Sequence, residues 1–225
     1  MYKIIAVARE FISLSTETKN LPWIGSLLRF PISIAPFHAF AIASSIETPI
    51  SEPILALSSP TTSQTQEEIF QAASTAYQST ITYRITAITM GYFSESPSGE
   101  IENITYGVPP GIPLLFTNAI PISTETCRTI VLSNPLLFFA RFMNLEEWEK
   151  LLPAFSHYLH YLIKPSQEDL RKIAYAFLDA FFAQEQKANR GRTTITLRSF
   201  TQAFPSLPRN AYDPEKRPPP SLSTY

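Results

Sequence analysis

In "STITYRITAITMGYF" (residues 79–93), Ile81, Tyr83, Ile85 and Ala87 alternate with Thr80, Thr82, Arg84 and Thr86. A period of two puts the apolar set on one face of a strand and the polar set on the other. The segment therefore reads as a half-buried antiparallel strand, one face on a core and one polar. After the loop "SESPSG" (94–99), "EIENITYG" (100–107) is its expected hairpin partner. Downstream, "VPPGIP" (108–113) reads as a rigid turn, and "LLFTNAI" and "TCRTIVLS" as two further strands. Upstream, "YKIIAVAREFISLS" (2–15) is a continuous apolar run that suits one strand covered on both faces. Pro22, Pro31 and Pro36 then cut the chain into short extended pieces, because proline is kept out of central strands.

Between these strands, "TPISEPILALSSPTTS" (48–63) has the punctuation of a surface crossing. Thr65 and Glu68 have the spacing of a capping box, followed by Ile69, Phe70, Ala73 and Tyr77 on one helical face. Residues 1–143 thus read as a β-rich body with one short helix. From Asn144 the period lengthens. Asn144 and Glu147 form a second capping box, and Leu145, Trp148, Leu152, Phe155, Leu159 and Leu162 step by three and four along one stripe. Pro153 falls inside that stripe, where it must kink or divide the helix at a cost of about 3 kcal/mol. Lys164-Pro165 ends it. Ser166 with Asp169 caps a second helix whose apolar face is Leu170, Ile173, Ala174, Phe177, Leu178 and Phe181. So short a link predicts antiparallel neighbours.

Near Gly191 that helix should stop, and "TTITLRSF" (193–200) alternates like one more strand packed on the body. Residues 201–225 carry four prolines after Tyr212 and read as an extended arm. The expected fold class is α+β: a mostly antiparallel β body, a two-helix hairpin plus a strand packed on the body over 144–200, and an extended proline-rich C-terminal arm over 201–225.

Composition narrows the function. Of 225 residues, 44% are apolar and only 16% charged, with 20 Pro against 6 Gly. About a quarter charged is usual, and exposed surfaces need charge for solubility, so the deficit points to a surface partly covered by partners. Three His, three Asp and one Cys leave little to assemble a catalytic set from, and no nucleophile elbow, Walker loop, CxxC pair or HExxH is present. Neither a catalytic residue nor a cofactor or metal site is expected. His157 and His160 share a helical face at metal-ligand spacing, but no third ligand stands near in sequence. Cys127 beside Arg128 is expected to be a structural thiol, with His38 its remote histidine. "LLRFPISIAPFHAFAIA" (27–43) is too interrupted by Arg29, Pro31, Pro36 and His38 to span a membrane. No secretory signal is legible, so a cytoplasmic or particle-bound location is expected.

The charge is uneven. Residues 31–139 hold eight acids against Arg84 and Arg128, a balance of 2 − 8 = −6. From Lys187 onward, seven bases face Asp213 and Glu215, a balance of 7 − 2 = +5. An acidic body and a basic end attract one another, within a chain or between copies. In "RNAYDPEKRPPPSLSTY" (209–225) the prolines favour polyproline II, which docks at low entropic cost. Tyr212, Lys216, Arg217, Leu222 and Tyr225 are its candidate partner-binding residues. Arg190, Arg192 and Arg198 are candidate contacts to nucleic-acid phosphates.

"AREF" (8–11), "ETKNLPWIGSLL" (17–28), "FQAASTAY" (70–77) and "NITYG" (103–107) resemble, in their order, landmarks of the small repeat-handle-binding subunit of type I-D CRISPR interference complexes. The resemblance implies a ferredoxin-like RNA-binding fold without catalysis. It covers scattered residues of the first half; the helical pair at 144–186 and the acidic balance depart from it. Two function classes follow. The first is a non-enzymatic structural subunit of a multi-subunit assembly, most naturally a viral or phage particle, with other protein subunits as partners. The second is an RNA-binding subunit of a nucleoprotein complex. An enzyme of unrecognised type comes third.

Overall fold

The computed structural model describes residues 2–8, 10–16, 21–47, 83–96, 98–145 and 148–188. Its first element corrects an expectation. "YKIIAVAREFISLS" is a hairpin of β1 (Tyr2–Val7) and β2 (Phe11–Thr16), with the Ala8 N–H donating to the Phe11 carbonyl at 2.8 Å across the turn. The run reverses between Ala8 and Phe11, and each half buries alternate residues instead of both faces. The proline-punctuated stretch forms β3 (Leu27–Pro31) and β4 (Phe37–Glu47). The segment at 79–93 supplies β5 (Tyr83–Glu95), followed by its hairpin partner β6 (Ile101–Tyr106) and a short β7 (Asn118–Pro121).

Every pairing is antiparallel, in the order β2-β1-β7-β3-β4-β5, and β5 pairs with β2 to close a six-stranded barrel. One edge of β5 is shared. Tyr83–Ile88 pair with Thr16–Phe11 of β2, and Gly91–Glu95 pair with β6, which is added outside the closed ring. Gly91 sits at the handover; a Cβ there would collide with the Thr105 carbonyl and lie 2.6 Å from the Phe40 ring. Only glycine lets β6 come so close.

Alternation along the strands serves two cores. On β4, Ala39, Ala41 and Ala43 enter the barrel with Tyr2, Ile4, Ile12, Leu14, Leu28, Phe30, Ile32 and Ile85. Phe40 and Ile42 turn outward, with Leu27, Ile88, Met90 and Phe93, into a second core beneath the helices. Small alanines on one strand leave room for the larger residues opposite, so the barrel is filled and is not a pore. β5 was expected to have a polar outer face; Ile88 and Met90 there are buried instead, because helices cover them.

Those helices begin earlier than the sequence pattern indicates. "TCRTIVLS" is not a strand but most of α1 (Thr124–Ser133), started by Ser123, whose Oγ accepts the Thr126 N–H at 3.1 Å. Cys127, Ile130 and Val131 are its buried face, a spacing of three and four that overrides the β-branched composition. Asn134 then caps α2 (Pro135–Met143) through its Oδ1 to the Leu137 N–H at 3.1 Å, with Pro135 at the first helical position. Asn144, expected to start a helix, is the C-cap of α2. α3 spans Trp148–Tyr158, runs through an exposed Pro153 and widens into a π-helical turn at Leu159–Ile163.

α4 (Gln167–Ala188) starts on the expected box: the Asp169 N–H donates to Ser166 Oγ at 3.1 Å, and the Ser166 N–H to Asp169 Oδ2 at 3.2 Å. The two-helix hairpin, however, is a four-helix layer among the described residues. α4 packs chiefly along α2, with Phe139 and Phe177 centroids 5.4 Å apart, while α3 reaches it through Trp148. No ferredoxin-like sheet is present among the described residues, so the fold implied by the resemblance is corrected to a closed barrel with an α layer on one side. The expected loop at 48–63, helix at 65–77, strand at 193–200 and arm at 201–225 lie outside the described residues.

Candidate partner-binding surface

The helices cover β3 to β6; among the described residues, the side of the barrel away from them is bare. There the chain from β6 to β7 crosses as a loop, residues 107–117, whose backbone is held at several points. The Ser33 N–H donates to the Ile112 carbonyl at 2.9 Å, and the Ile112 N–H to Ser33 Oγ at 3.1 Å. Pro113 bridges to Ile32. The Phe116 N–H donates to the Ile4 carbonyl, and the Ile4 N–H to the Thr117 carbonyl, both at 2.9 Å. Prolines at 109, 110 and 113 fix φ along the way.

A backbone held this firmly would normally turn its apolar side chains inward. Here they face out: Val108 is 54% exposed, Leu115 50%, and Ile112 and Phe116 69% each. Phe116 also takes φ of +63°, a left-handed conformation that a bulky residue adopts at a cost of about 1 kcal/mol or more. Its ring lies under Lys3 Nζ, 5.5 Å from the centroid. The bonds to Ser33 and Ile4 bring exposed Ile34 and Ile5 beside the same ridge. Of the strand expected at "LLFTNAI", only Asn118–Pro121 forms. The overlooked signal is four consecutive apolar residues, Pro113 to Phe116, without alternation.

Beside the ridge lies a groove of about 300 Å³ bounded by Val7, Ala8, Thr89 and the loop from Val108 to Pro113. At Thr89 it adjoins the helical layer. Arg141 of α2 donates to the Thr89 carbonyl at 3.0 Å and pairs with Glu10 at 3.4 Å. Its buried Nε has no acceptor among the described residues. Two residues on, the Met143 carbonyl accepts from Gln184 Nε2 of α4 at 3.1 Å.

A second exposed feature is aromatic. Trp23 lies over His157 and Tyr161, with centroids 5.7 and 4.9 Å away, and the two α3-side rings stand nearly parallel to one another. Trp23 is 43% and Tyr161 58% exposed. Gly25 makes this contact feasible: its φ is +86°, and a Cβ there would stand 2.6 Å from the Phe155 backbone nitrogen. The loop at 23–25 therefore lies directly on α3. His157, one of the pair with metal-ligand spacing, spends its ring in this stack, while His160 sits half-buried on the π-helical turn.

Cys127 is wholly buried in α1 against Tyr158. Burial pushes its thiol up to about 12, only partly offset by the Tyr158 hydroxyl, the environment of a packed thiol. His38 stands elsewhere, stacked on Phe93 and 4.0 Å from Glu95, which pairs with Arg29. The candidate residues Tyr212, Lys216, Arg217, Leu222 and Tyr225, and Arg190, Arg192 and Arg198, lie outside the described residues. Among the described residues no helix is long and apolar enough to cross a membrane. No protein-family model matches the chain, and no curated protein matches it.

Proposed function

We propose that this chain is a non-enzymatic structural subunit of a multi-subunit assembly, most naturally a component of a viral or phage particle. It meets other subunits, copies of itself or different chains, through the ridge at 108–116 and the C-terminal arm. The observation that carries the reading is the ridge: a firmly bonded loop that turns Val108, Ile112, Leu115 and Phe116 to solvent. A large apolar surface on a well-ordered backbone is what an interface looks like before its partner arrives. Low overall charge agrees with it. In the arm, Tyr212, Leu222 and Tyr225 serve as anchors and Lys216 and Arg217 meet acidic surface.

Native mass measurement tests this. The full chain should run above its monomer mass of 25.3 kDa, or with co-purifying subunits. Ile112→Glu with Phe116→Glu, and separately removal of residues 209–225, should each lower that mass. An oligomer size, counted in subunits, unchanged by both alterations would defeat the reading.

One observation favours the second reading, an RNA-binding subunit. The exposed stack of Trp23, His157 and Tyr161 offers a flat aromatic face of the kind on which bases stack. Binding to single-stranded RNA that falls steeply with salt, and is lost on Trp23→Ala and on Arg190, Arg192 and Arg198→Ala, would establish it.

A further inference from the structure

We infer that the ridge at 108–116 receives a second copy of this chain across a two-fold axis, with Phe116 of each copy seated in the groove of the other. The inference rests on the reading of the ridge as a contact surface and names what meets it there.

The first argument is that one face carries both a knob and a hole. The knob is Phe116, 69% exposed and held outward by its left-handed backbone and the bond from its N–H to the Ile4 carbonyl. The hole begins at Val7, three residues along β1 from Ile4 and so about 10 Å away. Its walls are Val7, Ala8, Val108, Ile112 and three prolines, and its volume is about 300 Å³. An apolar cavity of about 150 Å³ already holds a benzene molecule, so a phenyl ring fits. Ile112 belongs to the ridge and to the groove wall alike, which sets the two features on the same face. Two copies that meet face to face about a two-fold axis fill both grooves at once. A different chain would need a knob and a hole of its own at the same spacing.

The second argument is charge. In a two-fold contact the residues nearest the axis meet their own copies, so an ionisable side chain there would be repelled by itself. Residues 107–118 contain no Asp, Glu, Lys, Arg or His. Between the Phe116 anchor at Ile4 and the groove at Val7 stands Ile5, apolar and 36% exposed, which places it beside the axis. The neighbouring cation, Lys3, lies over the Phe116 ring, away from that midpoint. The third argument is area. Val108, Ile112, Leu114, Leu115 and Phe116, with Ile5 and Ile34, are between 36% and 69% exposed. Side chains of this size leave on the order of 500 Å² of apolar surface per copy. Two copies would then bury about 1,000 Å² in total, which is where specific interfaces begin. The bonded, proline-rich backbone is already ordered, so little freedom is lost on contact.

Charge pairing at the axis tests this. The isolated full chain should run on native mass measurement as two copies or a multiple of two. Ile5→Lys and Ile5→Glu should each run as single chains, and an equal mixture of the two should recover the dimer, because only a residue that meets its own copy is rescued in this way. Circular dichroism checks that both variants fold. Separately, Pro110→Cys and Phe116→Cys chains are mixed and oxidised. A disulfide needs Cα atoms within about 7 Å, so the mixture should yield a linked pair that neither variant yields alone. Cys127 stays out of the reaction because it is wholly buried. A multimer that both Ile5 variants leave intact, a mixture that is not rescued, or no mixed disulfide overturns the inference while the assembly reading stands. So does a chain that is single when isolated and multimeric only with co-purifying subunits of another kind. A chain that is single under every condition, with nothing co-purifying, overturns both.

Discussion

The two sides of the barrel solve the same problem in opposite ways. On the helical side, outward residues of β3, β4 and β5 meet a layer in which Phe155 sits 5.3 Å from both Phe138 and Phe142, and 6.2 Å from Phe139. All four are wholly buried. On the bare side, Phe116 is equally large but exposed, held by its backbone bond to Ile4 and met only at its face by Lys3 among the described residues. The first side spends its aromatic surface within the chain; the second leaves it exposed among the described residues. Side-chain size does not distinguish the two. What differs is which backbone groups are bonded and whether a helix lies above.

Substitutions should expose that difference. Phe155→Ala removes the hub of the aromatic cluster and should cost about 3–5 kcal/mol in urea unfolding, the upper range for a buried aromatic, because its neighbours are rings that relax poorly. A loss below about 1 kcal/mol would mean that the helical layer is not the main core. Gly25→Ala should come next, at about 2–3 kcal/mol, combining a left-handed backbone with a Cβ pressed on the Phe155 nitrogen. It should also weaken Trp23 packing, read as a red shift of tryptophan emission.

How much of this was legible depended on which physical signal spoke locally. β5 and β6 could be read because period-two alternation is written within each strand, as could the Ser166–Asp169 start of α4. The barrel could not, because closure depends on β5 switching partner at Gly91, and nothing near Gly91 in sequence names Thr105 as the obstacle. α1 was misread because Thr, Ile and Val dominate it, although Ser123 before Cys127, Ile130 and Val131 gave the helical period. The ridge was missed for a related reason: an apolar run looks like buried strand until its backbone partners are known. The charge asymmetry is plain in the sequence, yet all of its basic half beyond Lys187 lies outside the described residues.

A smaller effect concerns pH and belongs to the covered side. Asp169 is buried, which by itself raises a carboxyl, but the Ser166 hydroxyl and N–H and the Arg128 guanidinium at 2.7 Å outweigh this and hold it below the usual carboxylate range. A depressed folded-state value means that its stabilisation is present above the unfolded value, near pH 4, and is lost as pH falls through the folded one. Asp169→Ala should cost about 1 kcal/mol at pH 7, the usual worth of a cap, and the gap to the parent chain should close as pH falls through the depressed folded-state value. A gap that persists at low pH would assign the loss to packing.

The smallest effect on folding should come from the bare side, and it is the one that most sharpens the contrast. Phe116 is exposed and left-handed, so Phe116→Gly removes no buried contact and relieves the backbone, while the added freedom of glycine in the unfolded chain pulls the other way. The unfolding free energy of the isolated chain should therefore move by less than about 1 kcal/mol. The same substitution deletes the largest ring of the ridge and the partner of Lys3, so native mass should fall toward the single chain. Phe155→Ala should do the reverse at mild denaturant, losing the fold before assembly can be measured. If Phe116→Gly unfolds the chain as Phe155→Ala does, the ridge is part of the core, and the distinction between the two sides of the barrel fails.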